Sequence, residues 1–359
     1  MDSTLGTLGP AGMERFQRLR AAAVTSVADR LERLRGHDGR MLAAVPGHLR
    51  RHDLAALLQF LEPSVEYGLL QPMADYLDWI ARRNGMRTIA AEQVTLVLDC
   101  FAEYFLAAMD VEEGTTVADA LRAAKVVFAA TGGRREPLPA PPEPWPQTAE
   151  FADALVEGRQ GRAARIMRAC LDDGHDMLAF QLHVVQPALY EIGRRWQQDS
   201  LSVACEHLAT NVARTVMAAG LAGNERRCSN RRRVLLACAE GNRHDLGLQM
   251  VGDAFRHAGW NVRCLGADVP TDDLVQHAAH WNADLLGLSV AFAHQLRSIR
   301  AVASGLRAAG EREALPILAG GIAARRFERL ARHLGADAVA ADAAAAVVAA
   351  SRLIGRAHE

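Results

Sequence analysis

Residues 234 to 342 contain five short aliphatic runs, VLLACA (234–239), NVRCLG (261–266), LLGLSVA (285–291), PILAGG (316–321) and AVAAD (338–342), separated by stretches of helical period. Runs of this length rich in Val, Leu and Ile, bounded by turn residues and alternating with helices, predict parallel strands joined by helical crossovers. The expected product is a doubly wound parallel sheet with helices on both faces. In such a sheet a ligand sits beyond the carboxyl ends of the strands, where the strand order reverses.

Upstream the period is helical throughout. FQRLRAAAVTSVADRLERLR and AEQVTLVLDCFAEYFLAAM space their apolar residues by three and four, and so do TAEFADALVEGRQGRAARIMRACLDDG and the segment from Met177 to Leu221. Five prolines (Pro137, Pro139, Pro141, Pro142, Pro144) interrupt the pattern and predict an extended linker. The polar, basic GNERRCSNRRR at 223–233 reads as a solvated hinge. The expected organisation is an all-helical domain at 1–134, a linker at 135–148, a four-helix bundle at 149–225 and the sheet domain at 231–355. QPMADYLDWIARRNG from Gln71 and QPALYEIGRRWQQDS from Gln186 hint that the first helical domain is a degenerate copy of the bundle.

Charge excludes some classes of partner. Lys and Arg total 41 against 42 Asp and Glu, so a net charge of -1 offers no global field for nucleic acid or an anionic membrane. No run of about 18 apolar residues suggests a membrane span, and the start MDSTLGTLGPAGMERFQRLR lacks the layout of a secretory signal. Six cysteines without a CxxC pair suit reduced thiols, so a cytoplasmic protein is expected.

Three strand ends carry the chemistry. The first is followed by EGNRHDLG, which places His244 in the expected crevice and Gly247 where the backbone either turns tightly or lets a bulky group approach. The third ends beside Ser289, and the fourth in the side-chain-free pair Gly320 and Gly321. Phosphate-loop motifs are absent. Upstream, Trp196 is followed after nine residues by Glu206 and His207.

This ordering resembles the cobalamin-binding domain family, whose pattern is D/ExHxxG, then SxL, then GG, and the resemblance spans roughly residues 149–355. It implies a flavodoxin-like five-stranded sheet under a helical cap. It also implies His244 as lower cobalt ligand, Gly247 as the loop glycine, Ser289 as a contact for the cofactor's nucleotide tail, and Gly320 with Gly321 as the floor of its channel. GADVP from Gly266 resembles the loop after the family's second strand. Two residues depart from the pattern: Asn242 stands where the family has a carboxylate, and Ala291 replaces the leucine of SxL. An amide orients imidazole but donates less electron density than a carboxylate, so ligation by His244 is expected to be weaker.

The Trp-x9-Glu-His triplet resembles the cap of CarH-type adenosylcobalamin photoreceptors. That resemblance implies Trp196 and Glu206 against the adenosyl group, and His207 as upper ligand once light has removed it. The expectation is a regulatory sensor without catalytic turnover that binds adenosylcobalamin or methylcobalamin and signals by a conformational or oligomeric change. Residues 1–130 lack the DNA-binding start of those repressors, so the helical domain is expected to dimerise or bind a protein partner, with Phe101, Tyr104 and Phe105 in its core. A corrinoid methyl carrier is the second reading. A sensor of the same fold holding haem or another tetrapyrrole is the third, and a scaffold that has lost its cofactor the fourth.

Overall fold

The computed structural model describes residues 5–37, 50–82, 91–131, 142–198, 200–221, 230–310 and 315–357. Pro137, Pro139 and Pro141 of the expected linker and residues 223–229 of the expected hinge, Cys228 among them, lie outside them. By contacts the chain divides into two compact units, Met1–Glu136 with Gln197–Asp199, and the remainder.

The first unit is helical over its described residues: α1 (Pro10–His37), α2 (Arg51–Tyr67), α3 (Gln71–Arg82), α4 (Ala91–Ala108) and α5 (Val111–Thr131). Its core gathers Phe16, Leu58, Leu61, Phe101 and Phe105, all fully buried. Phe16 stacks on Phe105 at 5.0 Å between centroids, and Tyr104 meets Phe105 edge-on at 5.4 Å. Phe101 and Phe105 are therefore core residues, as their spacing predicts, while Tyr104 stays partly exposed.

The second unit begins with the bundle: α6 (Thr148–Val156), α7 (Gln160–Asp172), α8 (Met177–Phe180) running through a π-helical turn at Gln181–Val185 into α9 (Gln186–Gln197), and α10 (Val203–Leu221). Pro187 accounts for part of this geometry. Lacking an N–H, it leaves the His183 carbonyl without its helical donor, and that carbonyl instead accepts from the Trp145 amide at 3.0 Å and the Thr148 hydroxyl at 2.9 Å. The end of the linker is thereby tied to the bundle. The equivalent Gln71-Pro72 opens a separate helix, α3, because Gly68 ends α2 in the left-handed region at φ 70°.

The sheet follows: β1 (Arg233–Cys238), α11 (Leu246–His257), β2 (Asn261–Gly266), α12 (Thr271–Trp281), β3 (Leu285–Ser289), α13 (Arg297–Ala308), β4 (Ile317–Gly320), α14 (Ile322–Arg326), α15 (Glu328–His333), β5 (Ala338–Val339) and α16 (Ala343–Ala357). All four pairings are parallel, in the order β2-β1-β3-β4-β5. This is the doubly wound sheet that the five aliphatic runs predict. The chain leaves β1 for β2 on one side and returns to β3 on the other, so the order reverses between β1 and β3. Register then levels the strand ends, with Cys238 opposite Ser289 and Ser289 opposite Gly320. Strands β3 and β5 are shorter than their apolar runs, ending at Ser289 and Val339.

The bundle and the sheet share a core. Val212, Val216 and Met217 of α10 belong to one apolar cluster with Leu246, Met250 and Ala254 of α11. Among the described residues no helix is long and apolar enough to cross a membrane.

Candidate functional site

The loop after β1 is laced to the loop after β2. Gly241, at φ 76°, donates its amide to Asp268 Oδ1 at 2.7 Å, and the Asp268 amide donates to the Asn242 carbonyl at 2.9 Å. Asn242 is fully buried, and its own amide donates to the Ala239 carbonyl at 2.8 Å. Its side chain bridges strand ends: Nδ2 donates to the Ser289 carbonyl at 3.0 Å, and Oδ1 accepts from the His244 amide at 3.0 Å. A carbonyl can only accept and an amide N–H can only donate, so both bonds require the same orientation of the Asn242 amide.

That orientation decides the state of His244. Asn242 Oδ1 also faces His244 Nδ1 at 3.4 Å, a long contact in which the ring nitrogen must donate. The proton is thereby held on Nδ1 and the Nε2 lone pair is left available, the arrangement in which an outer-shell acceptor aims an imidazole at a metal. The His244 residue is exposed, yet the protein around its ring lowers its pKa, chiefly by burial. The negative charges of Glu206 and Asp245 oppose that shift and His207 reinforces it. The neutral imidazole favoured here is the form that binds metals. Phe292 packs edge-on to His244, with centroids 5.3 Å apart at 70°, and stacks in turn on His294.

The electrostatic influence of Glu206 and His207 on His244 couples the bundle to the loop. Both residues lie in the first turns of α10. Glu206 Oε1 accepts from the Thr210 hydroxyl at 3.0 Å, and Oε2 accepts from His207 Nδ1 at 2.6 Å. His207 thus repeats the logic of His244: Nδ1 is engaged by an oxygen acceptor and Nε2 is left as donor atom, on a side chain that is 71% exposed. Farther along α10, Arg214 grips both carboxylate oxygens of Asp245, at 2.6 and 3.2 Å.

The glycines divide by role. A Cβ on Gly321, whose φ is 89°, would lie 2.8 Å from the Val290 carbonyl carbon and 2.9 Å from its nitrogen, so backbone approach requires glycine there. A Cβ on Gly320 or Gly247 would meet nothing within 4 Å. Gly247 is the second residue of α11 and its φ is not positive. Of its two expected roles, the tight turn belongs instead to Gly241, and Gly247 keeps open space beside the loop. Trp196 occupies the last turn of α9, half-buried.

Of the residues expected at the site, hydrogen bonds and charge bring together Asn242, His244, Ser289, Glu206 and His207. Arg214, Asp245, Asp268 and Phe292 join them without having been expected. Arg214 had one legible signal, since it stands seven residues after His207 and so shares its helix face.

Comparison with known proteins gives a consistent result. Residues 232–351 match a B12 binding domain, and residues 147–219 match a second B12 binding domain family. The chain is 33% identical over 155 residues to the HTH-type transcriptional repressor CarH of Myxococcus xanthus, covering 42% of this chain and 51% of the repressor. It is 34% identical over 115 residues to dimethylamine corrinoid protein 3 of Methanosarcina mazei, covering 32% of this chain and 68% of that protein. Against CarH and most of these corrinoid proteins the chain spans about half the relative's length. The structure of the Methanosarcina barkeri monomethylamine corrinoid protein shares the fold, with a TM-score of 0.51 at 21% identity over 56% of this chain and 96% of that one. With its loop histidine, level strand ends and helical cap, the chain belongs to the family of B12-binding proteins.

Proposed function

We propose that the protein is a cobalamin-binding regulatory sensor, responsive to light through adenosylcobalamin, with His244 as lower ligand and His207 as upper ligand after the adenosyl group is lost. The observation that carries this reading is the pair of histidines with Nδ1 engaged and Nε2 available, one on the sheet loop and one on α10. The donor set suits the group, because cobalt accepts imidazole nitrogen well. Open space at Gly320 and Gly247 suits a large ligand lying over the strand ends.

When bound, adenosylcobalamin supplies a cobalt–carbon bond that visible light breaks. The chain's own residues do the rest. Asn242 holds the tautomer of His244, and Gly320 with Gly321 and Ser289 accept the nucleotide tail. Trp196 and Glu206 cover the adenosyl side, and Glu206 keeps the His207 ring oriented. His207, on the exposed first turns of α10, would be the residue to hold the metal from the cap side once the alkyl group had gone, which would make the cap a two-state element biased by ligand chemistry. The first helical unit passes that change to a protein partner or to a second copy of the chain.

The test is to load the full chain with adenosylcobalamin in darkness and to record absorbance and size-exclusion volume before and after green light. A change in both supports the sensor. Binding with no response to light removes the photoreceptor role, and failure to bind any corrinoid removes the cofactor itself; haem offered in parallel tests the tetrapyrrole alternative.

A second reading, a corrinoid methyl carrier, is favoured by the match to the dimethylamine corrinoid protein of Methanosarcina barkeri, which covers 96% of that protein at 28% identity. Replacing His207 with alanine separates the two. In a carrier the variant gives the same illuminated spectrum as wild type, whereas in the sensor it loses the signature of two histidine ligands.

A further inference from the structure

The bridge between Arg214 and Asp245 joins the cap to the residue immediately after His244. We propose that these two are the positioning residues that set the separation between His207 and His244, the pair acting as a pivot about which the start of α10 moves. The inference rests on the cobalamin reading above and adds to it the part of the cap that stays fixed.

Burial along α10 supports a fixed half and a free half. In its first two turns Val203 is 54% exposed, Leu208 44%, and the His207 side chain 71%. From Ala209 onward the inward positions Val212, Ala213, Val216 and Met217 are all buried, packed with Leu246 and Met250 at the start of α11. Arg214 lies within the buried half, five residues past Ala209, with its side chain reaching out to Asp245. It lies seven residues, or about 10.5 Å of helix rise, beyond His207.

The geometry of the bridge makes it a defined stop. A planar guanidinium meeting both oxygens of one carboxylate fixes distance and orientation together, which a point charge does not. Side-chain exposures of 36% for Arg214 and 17% for Asp245 place the pair where solvent screens it only in part. Asp245 is also held from its own side, since Gln249 Nε2 donates to it at 3.4 Å. Elsewhere a second tie, Gln181 Nε2 donating to Asp253 Oδ2 at 2.9 Å, fastens the π-helical turn to α11. Between these ties the bundle is anchored on α11, and the turns carrying Glu206 and His207 extend beyond the last anchor.

The test uses the full chain with Arg214→Met, Asp245→Asn, the double variant and Arg214→Lys. Hydrogen exchange of residues 203–221 and 240–247 is expected to quicken about tenfold in each of the first two, the loss of a charge-assisted pair. The double variant is expected to match the singles, and Arg214→Lys to fall between them and wild type. Unchanged exchange, or effects that add in the double variant, overturns the pivot.

The probe for spacing is hydroxocobalamin. Arg214→Met is expected to take it up with the His244-ligated spectrum but with a roughly tenfold smaller ratio of the two-histidine form to the one-histidine form. An unchanged ratio despite faster exchange leaves the bridge a structural tie and overturns its positioning role. If wild type takes up no hydroxocobalamin, the cofactor reading and the spacing role fail together, while the exchange data still decide whether cap and loop are coupled.

Discussion

Replacing Asn242 with aspartate restores the carboxylate that the family pattern has before its histidine, yet this chain is expected to resist it. The Asn242 side chain is fully buried, and Nδ2 donates to the Ser289 carbonyl at 3.0 Å. In the variant a carboxylate oxygen faces that carbonyl, acceptor against acceptor. The main chain cannot turn away, because Asn242 also bonds Ala239 and Asp268 through its amide and carbonyl. Protonating the new carboxyl restores the donor. From an unperturbed aspartate pKa, that costs about 1.4 kcal/mol per pH unit above about 3.9, hence about 1.5 kcal/mol at pH 5 and about 4 kcal/mol at pH 7. Leaving it ionised and unpaired costs a comparable 3–5 kcal/mol or so. The sign follows: the folded variant binds more protons than the unfolded one, so its deficit grows as pH rises. Urea unfolding of the full chain at pH 5, 6 and 7 measures it. A variant that matches wild type at pH 7, or a deficit that does not change with pH, refutes the argument and means that the loop re-pairs around an Asp–His ion pair.

Gly321→Ala is expected to cost about 2 kcal/mol or more, because strained backbone and a clash with Val290 coincide there, whereas Gly320→Ala leaves the melting temperature within about a degree or two and weakens corrinoid uptake. The reverse ordering in a melting and titration series contradicts the assigned roles. The lowered pKa of His244 means that the unfolded chain binds more protons just below pH 6.5 or so; wild type therefore loses stability as pH falls through that window, and His244→Asn, compared by unfolding at pH 7.5 and 5.5, is expected to lose less. Burial pushes the Cys238 thiol up to about 12, so peptide mapping after treatment with a thiol reagent at pH 8 is expected to find partly exposed Cys205 labelled and Cys238 untouched.

Much of the sheet was legible because a parallel strand covered on both faces must be aliphatic along its length, and a turn must follow it. The π-helical turn was not legible, since Gln-Pro reads as an ordinary helix start; the same dipeptide does start a helix at Gln71, and only the tertiary acceptors for the His183 carbonyl distinguish the two cases. The end of β3 was overestimated because apolar composition marks burial, while pairing stops where a neighbouring strand stops, and β4 reaches only Gly320.

The site divides along the same physical line. That His244, Ser289 and the glycine pair lie along one row of strand ends was legible in the sequence because parallel register turns order along the chain into order in space. Arg214 and Asp245 could not, because their meeting depends on the angle at which α10 crosses α11, and that angle comes from how Val212, Val216, Leu246 and Met250 fill one cluster. The pairing itself has no signature within either segment: Arg214 shares a helix face with His207, but an aspartate before a helix is ordinary and neither run names its partner. What distinguishes them is that the helix bearing Glu206 and His207 and the loop bearing His244 have no freedom to slide past one another without breaking it. The residue types proposed to meet the cofactor are therefore legible in the sequence, but the distance between the two histidines depends on packing.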